Sequence, residues 1–315
     1  MEELKNLIKS KAAAYKEEII AIRRHLHQNP ELSFEEYNTS KFVSSKLDEF
    51  GIEHQTGIVK TGIVGLIKGK KPTSKTIALR ADLDALPILE ENDVAYKSIN
   101  EGVMHACGHD VHTSSLLGAA KILNEIKEQF EGTVKLIFQP GEERLPGGAS
   151  LMIKEGVLEN PEPDTIIGQH VYPQLEAGKV GFRGGMYMAS TDELFMTVIG
   201  KGGHAALPHL TVDPILIAAH IITSLQQIVS RKAKPDIPSV LSFGKINSVG
   251  GATNIIPDEV NIEGTFRTMN EEWRAEAHNL MVDMAENIAK SMGGTCEFEV
   301  RKGYPFLKND EITTE

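Results

Sequence analysis

At 315 residues, with 41% hydrophobic and 24% charged residues, the chain has the composition of a globular protein of roughly two domains. A formal net charge of −11 excludes the basic face that a phosphate backbone requires, and no apolar run approaches the ~20 residues of a membrane span. The charged opening MEELKNLIKSKAAAYKEEII lacks the apolar stretch of an export signal, and Cys107 and Cys296 are too far apart in sequence to suggest a disulfide, so the expectation is a cytoplasmic protein that binds neither nucleic acid nor membrane.

Ile19, Ile20, Ile22 and Leu26 recur at helical spacing and predict an amphipathic helix ending at Asn29-Pro30. A second helix fits 35–49, before Gly51. Four short apolar runs read as strands: TGIVGLIKG from 61, TIALRAD from 76, TVKLIFQP from 133 and TIIGQHV from 165. Helical patterns intervene at about 112–128 and 147–156. This alternation predicts an α/β fold, an α/β/α layered domain with a mostly parallel sheet and ligands at the strand ends.

After Gly184-Gly185 the pattern changes. TDELFMTVIG (191–200) and EVNIEGTFRT (259–268) alternate as half-exposed strands, while 213–231 and 271–291 are helical. An inserted α+β domain over 186–294, with one sheet face open, follows. TCEFEVR (295–301) reads as a strand rejoining the first domain, which is therefore expected over 1–185 and 295–315.

Metal-binding side chains gather at the predicted strand ends. Asp82 and Asp84 follow TIALR, Cys107 and His109 open a helix, Glu142 and Glu143 follow VKLIFQP, and His170 follows TIIGQ. Thiolate, imidazole and carboxylate together suit a divalent transition metal and not calcium. Two nearby cations lower the pKa of water to make a nucleophile at neutral pH. A neighbouring carboxylate can carry the proton to the leaving amine. Glu142 and Glu143 suit that division because successive residues in extended backbone point to opposite sides.

HACGHDVH, FQPGEE, GQHVYP, GGHAALP and GATNIIPDEV, together with RRHLHQNPELSFEE and LRADLDALP, resemble the M20 metallopeptidase family in the right order along nearly the whole chain. The resemblance is closest to its amidohydrolase branch: hippurate hydrolases, auxin-conjugate hydrolases and N-acyl-amino-acid deacylases. It implies a hydrolase for N-acyl-amino acids or similar small amides, with two divalent ions (manganese, zinc, cobalt or nickel) and a lid domain that forms a homodimer. By motif, Cys107, His109, Glu143 and His170 are the implied ligands and Glu142 the acid/base. Asp84 stands behind the ligands. His204 is the implied lid donor to the developing oxyanion, with Asn254 and Arg267 as lid residues that bind substrate. Val260, Ile262 and Phe266 share one strand face, which leaves Arg267 on the open face, where its guanidinium can take a carboxylate.

Other readings of single residues stand beside these. Cys107 could be an inert thiol or a nucleophile, and the Glu pair a solvated turn. His105, His112, His25 and His27 read as structural, with Asp110 and His112 orienting the ligands and Asp82 supporting them. The family places one further ligating histidine near the C-terminus, and no histidine follows His278 here. The expectation is a truncated form or a differently supplied last ligand. Two alternatives therefore remain: a dipeptidase or carboxypeptidase of the same family, and a binding protein without turnover.

Overall fold

The computed structural model describes residues 2–250 and 252–314, and the chain divides into two compact units at Val180-Gly181. The first unit opens with helices α1 (Glu2–Gln28) and α2 (Tyr37–Glu49). Strands β1 (Glu53–Ile58), β2 (Gly62–Lys68) and β3 (Thr76–Asp82) follow, then helix α3 (His109–Glu125), strand β4 (Thr133–Gln139), helix α4 (Gly148–Lys154) and strand β5 (Thr165–Gly168). The five strands form one sheet in the order β1-β2-β4-β3-β5. β3 pairs in parallel with both β4 and β5, and of the five strands only β2 runs against the rest.

Period-two alternation divides the core of this unit between the two sheet faces. Ile63, Ile67, Ala81, Leu136 and Phe138 pack under α1, α2 and α3, where they meet Leu26, Leu47 and Leu117. Ala78 and Ile137 face the other way, against Met152 of α4 and Val157. The layers are therefore α/β/α, as the sequence predicts. α2 has no capping side chain of its own at its N-terminus. Glu31 supplies one from a distance, accepting the N–H groups of Asn38 and Thr39 at 3.1 and 2.8 Å.

The second unit contains strands β6 (Gly185–Met188), β7 (Asp192–Ile199) and β8 (Gly203–His204), helix α5 (Pro214–Gln227), and strands β9 (Ser239–Val249), β10 (Ile255–Ile256) and β11 (Glu259–Thr268). Helix α6 (Glu271–Ser291), strands β12 (Thr295–Lys302) and β13 (Leu307–Asn309) and a last helical turn, α7 (Glu311–Thr314), complete it. Its main sheet is antiparallel in the order β12-β7-β11-β9. Leu194, Val198, Val260, Ile262 and Phe266 pack with Ile221 and Leu225 of α5 and Met281 and Ala285 of α6. Both helices start on side-chain caps: Asp213 Oδ1 accepts the Ile215 N–H at 2.9 Å, and Asn270 Oδ1 accepts the Trp273 N–H at 2.8 Å.

One expectation is corrected here. The 295–302 strand does not rejoin the first sheet; it pairs with β7 from Thr295↔Ile199 to Lys302↔Asp192. Cys296, Phe298 and Val300 alternate into the α5/α6 core, so the apolar face of this strand is already satisfied in the second unit. α3 also begins at His109 and not at about 112, because Gly108 turns the chain into the helix with φ +99°. No helix among the described residues is long and apolar enough to cross a membrane.

Candidate metal centre

The parallel run of β4, β3 and β5 brings their C-terminal ends to one sheet edge, and the candidate ligands lie just beyond it. Asp82 ends β3 and Asp84 follows. Pro140-Gly-Glu-Glu143 follows β4, and His170 follows β5. The turn into α3 adds Cys107 and His109. Gly108 makes that turn possible, since a Cβ there would stand 2.4 Å from Cγ2 of Val171.

His109 is buried at the centre. Its Nδ1–H donates to the Asp84 carbonyl at 2.9 Å and faces Asp84 Oδ1 at 3.1 Å. That commits Nδ1 to Asp84 and aims Nε2 into the cluster, where this buried atom has no hydrogen-bond partner. Glu142 Oε2 lies 3.9 Å from Nε2, Glu143 Oε1 3.8 Å and Asp82 Oδ2 3.7 Å. Cys107 Sγ lies 3.3 Å from His170 Nε2. Three groups offer donor atoms within 4.8 Å of one another and share His109: Cys107 with His170, Glu142 with Glu143, and Asp82 with His112.

The electrostatics point the same way. Burial would lower the His109 pKa, but the hydrogen bond with Asp84, the nearby Cys107 sulfur and the carboxylate charges push it up to about 11. The Cys107 hydrogen bond raises His170 to about 9 against the effect of burial. The nearby His109 ring and the hydrogen bond with His170 lower the Cys107 thiol toward thiolate. The cluster thus favours positive charge at its centre, and its soft and borderline donors match a divalent transition metal. The residues present fit such an ion. Burial, and then the adjacent Glu143 charge, raise the Glu142 carboxyl above its ordinary value, the direction that suits a proton-accepting group.

His112 belongs to the same network but offers no free donor atom. Its Nδ1–H donates to Asp82 Oδ1 at 2.6 Å, and its Nε2 accepts the Val171 N–H at 3.0 Å. The close group of Asp82, His109 and His112 is therefore hydrogen-bonded scaffolding and not an open site. Arg80 pairs with the other Asp82 oxygen at 2.6 Å. His105 is buried with both ring nitrogens unpartnered, and it is not among the clustered donors. Asp110 turns to α1, where His27 Nδ1 and Arg23 Nε each lie 2.8 Å from Oδ2. His27 reaches Glu90 at 3.1 Å through its second nitrogen, so both of its ring nitrogens have partners.

Within the second unit, β8 pairs with β10 so that His204 faces Ile255, and the Asn254 carbonyl accepts the Ala205 N–H at 2.9 Å. His204 and Asn254 are thereby neighbours. The Ala206 N–H donates to His204 Nδ1 at 3.1 Å, so the neutral ring carries its hydrogen on exposed Nε2. Arg267 is exposed on β11, while Val260, Ile262 and Phe266 are buried. His278 is committed to Asp192 at 2.8 Å. The sequence reading assigned no role to Ser33 or Glu36, although both lie in the quoted RRHLHQNPELSFEE motif; their partners are far away in sequence.

A fold of this type, with thiolate, imidazole and carboxylate donors at the strand ends, defines a metal-binding hydrolase class. Residues 78–314 match the description of Peptidase family M20/M25/M40, and the chain belongs to that family. It is 43% identical to an N-acyl-L-amino acid amidohydrolase of Geobacillus stearothermophilus, over 98% of this chain and 82% of the relative. It is also 43% identical to thermostable carboxypeptidase 2 of Saccharolobus solfataricus, over 100% of this chain and 79% of the relative. The structure of the Bacillus subtilis YXEP protein, described as a dinuclear metal binding peptidase of the M20 family, matches with a TM-score of 0.80 at 37% identity, covering 96% of this chain and 78% of that one.

Proposed function

We propose that this chain hydrolyses the amide bond of N-acyl-amino acids or similar small amides and releases the free amino acid. The observation that carries the reading is the pair of donor groups around His109 Nε2, with Glu142 and Glu143 placed on it at 3.9 and 3.8 Å. Cys107, His109, Glu143 and His170 would hold two divalent ions, with zinc, manganese, cobalt or nickel suited to these donors. When bound, such ions polarise the carbonyl and lower the pKa of water. Glu142 Oε2 accepts the proton of the attacking water and returns it to the amine nitrogen as the C–N bond breaks. His204 Nε2–H serves as donor to the carbonyl oxygen that gains charge. Arg267 takes the substrate carboxylate, with Asn254 as a second polar contact. We assign the lid and homodimer roles to the 186–294 region, and a cytoplasmic location to the protein.

The G. stearothermophilus relative supports the acyl-amino-acid reading by its name. The test is a panel of N-acetyl and N-benzoyl amino acids with added manganese, cobalt or zinc, beside Glu142→Ala. Metal-dependent turnover that the variant loses by about 10²- to 10⁴-fold is the expected result. No turnover above the variant rejects the reading, and a strict need for a free α-amino group selects the peptidase alternative instead. Light scattering at micromolar concentration tests the dimer.

A further inference from the structure

The segment Ser33–Glu36 contributes no candidate ligand, yet two of its side chains, Phe34 and Glu36, end on the loop that carries Glu142 and Glu143, and a third, Ser33, ends on the Asp84 carboxylate that binds the same loop. Glu36 is fully buried. Its Oε1 accepts the Gly141 N–H at 2.8 Å and the Phe34 N–H at 2.9 Å, and its Oε2 accepts the Thr61 hydroxyl at 2.7 Å. All three donors are uncharged, so this carboxylate is bound by directional hydrogen bonds and not by an ion pair. Phe34 sits at φ 65°, a conformation that L side chains rarely adopt. Its ring lies so close to Gly141 that a Cβ there would meet Cζ at 2.4 Å. Ser33 Oγ donates to Asp84 Oδ2 at 2.6 Å, the same oxygen that accepts the Glu143 N–H at 2.9 Å.

The two backbone N–H groups on either side of Glu142 are thus both captured. Gly141 is held by Glu36, and Glu143 by the Asp84 oxygen that Ser33 also binds. Phe34 closes the remaining side of Gly141. A buried carboxylate is an expensive way to fill space, and an apolar side chain of similar volume would suit packing alone. What the carboxylate supplies is direction.

We propose that Glu36 is a positioning residue: with Ser33 and Phe34 it brackets the turn at residues 141–143, so that Glu142 and Glu143 point to separate tasks. This rests on the reading of Glu142 as the proton carrier.

The experiment compares Glu36→Ala, Glu36→Gln and Phe34→Ala with wild type in the full chain, each checked for folding by circular dichroism. Three quantities are read: kcat and KM on an N-acetyl-amino acid, zinc affinity by calorimetry, and hydrogen exchange at the Gly141 and Glu143 amides. In E36A, kcat falls about 10- to 100-fold while KM stays within about twofold, and both amides exchange faster. E36Q keeps an oxygen acceptor for Gly141 and restores kcat to within about threefold of wild type. A folded E36A with kcat within about threefold of wild type and unchanged exchange overturns the proposal, as does an E36Q as impaired as E36A. Should E36A fail to fold, F34A decides by the same readouts: lower kcat with faster exchange supports the bracket, and wild-type values overturn it. An inactive wild type would sink the hydrolase reading, while the exchange comparison would still show whether Glu36 holds the turn.

Discussion

Val171 donates its backbone N–H to Nε2 of His112 at 3.0 Å, and this bond ties the His170 loop to the end of β3 through Asp82. Because Nε2 accepts, the proton of the neutral ring must sit on Nδ1, which is the atom facing Asp82. One imidazole therefore helps to position His170 twice, through the Val171 backbone and through its own ring, which meets the His170 ring edge-on at a centroid distance of 4.6 Å. Replacing it with phenylalanine keeps the ring and removes both bonds. H112F is expected to lose about 10- to 100-fold in zinc affinity, the usual effect of removing a group that orients a metal ligand. Competition against a chromophoric chelator measures this, and an unchanged affinity would reject the role.

Gly108 is needed for two separate reasons, and a double variant separates them. Its φ of +99° disfavours any L side chain, and a Cβ would lie 2.4 Å from Val171 Cγ2. G108A is expected to destabilise the protein by about 1–3 kcal/mol, combining backbone strain with overpacking. Adding V171A removes the clash but leaves the φ, so the double variant should recover only part of the loss. Urea midpoints at constant m-value read both numbers.

The site was legible from the sequence wherever chemistry sat at the end of a local pattern. Cys107, His109, Glu142, Glu143 and His170 each follow or precede a periodic element, and a parallel sheet gathers such ends without further information. What stayed hidden depends on contacts distant in sequence. Glu36 reads as one acid in a polar motif until Gly141, 105 residues away, donates to it. TCEFEVR shows its alternation plainly, but alternation does not say which sheet edge a strand joins. β9 escaped notice because most of its residues are exposed, which blunts the apolar signal.

Arg267 offers a test of substrate class that does not depend on the metal. It lies exposed on β11, on the face opposite the buried Val260, Ile262 and Phe266. If it binds the substrate carboxylate, R267A should raise KM for N-acyl-amino acids about 10- to 100-fold, the range of a lost charged hydrogen bond. Arg267→Lys should restore only part, because an ammonium cannot form the bidentate fork. Substrates with the carboxylate capped as an amide should be handled alike by wild type and R267A. An equal effect on both substrates would remove Arg267 from carboxylate recognition.

Asp192 predicts how the second unit responds to acid. Arg274 Nη2 and Nε lie 2.6 and 2.9 Å from its two oxygens, and His278 Nε2 lies 2.8 Å away. Burial alone would raise this carboxyl, but the hydrogen bonds from His278 and Arg274 outweigh it and hold the pKa at about 2, below its ordinary 3.8. A folded-state pKa below the unfolded one means that the unfolded chain takes up the proton first as pH drops. The stabilisation is therefore complete above the ordinary carboxylate range and is lost as pH falls from about 4 toward 2. Trp273, the chain's one tryptophan, is buried in this unit and donates through Nε1 to Ser239 Oγ at 2.9 Å, so its fluorescence reports the transition. D192N leaves the buried Arg274 with the partly exposed Glu271 as its remaining carboxylate partner and should cost roughly 1–3 kcal/mol at pH 7. Its urea midpoint should then vary less with pH between about 4 and 2 than that of wild type, since the linked proton is gone. Parallel pH profiles for the two proteins would show that Asp192 does not carry the linkage.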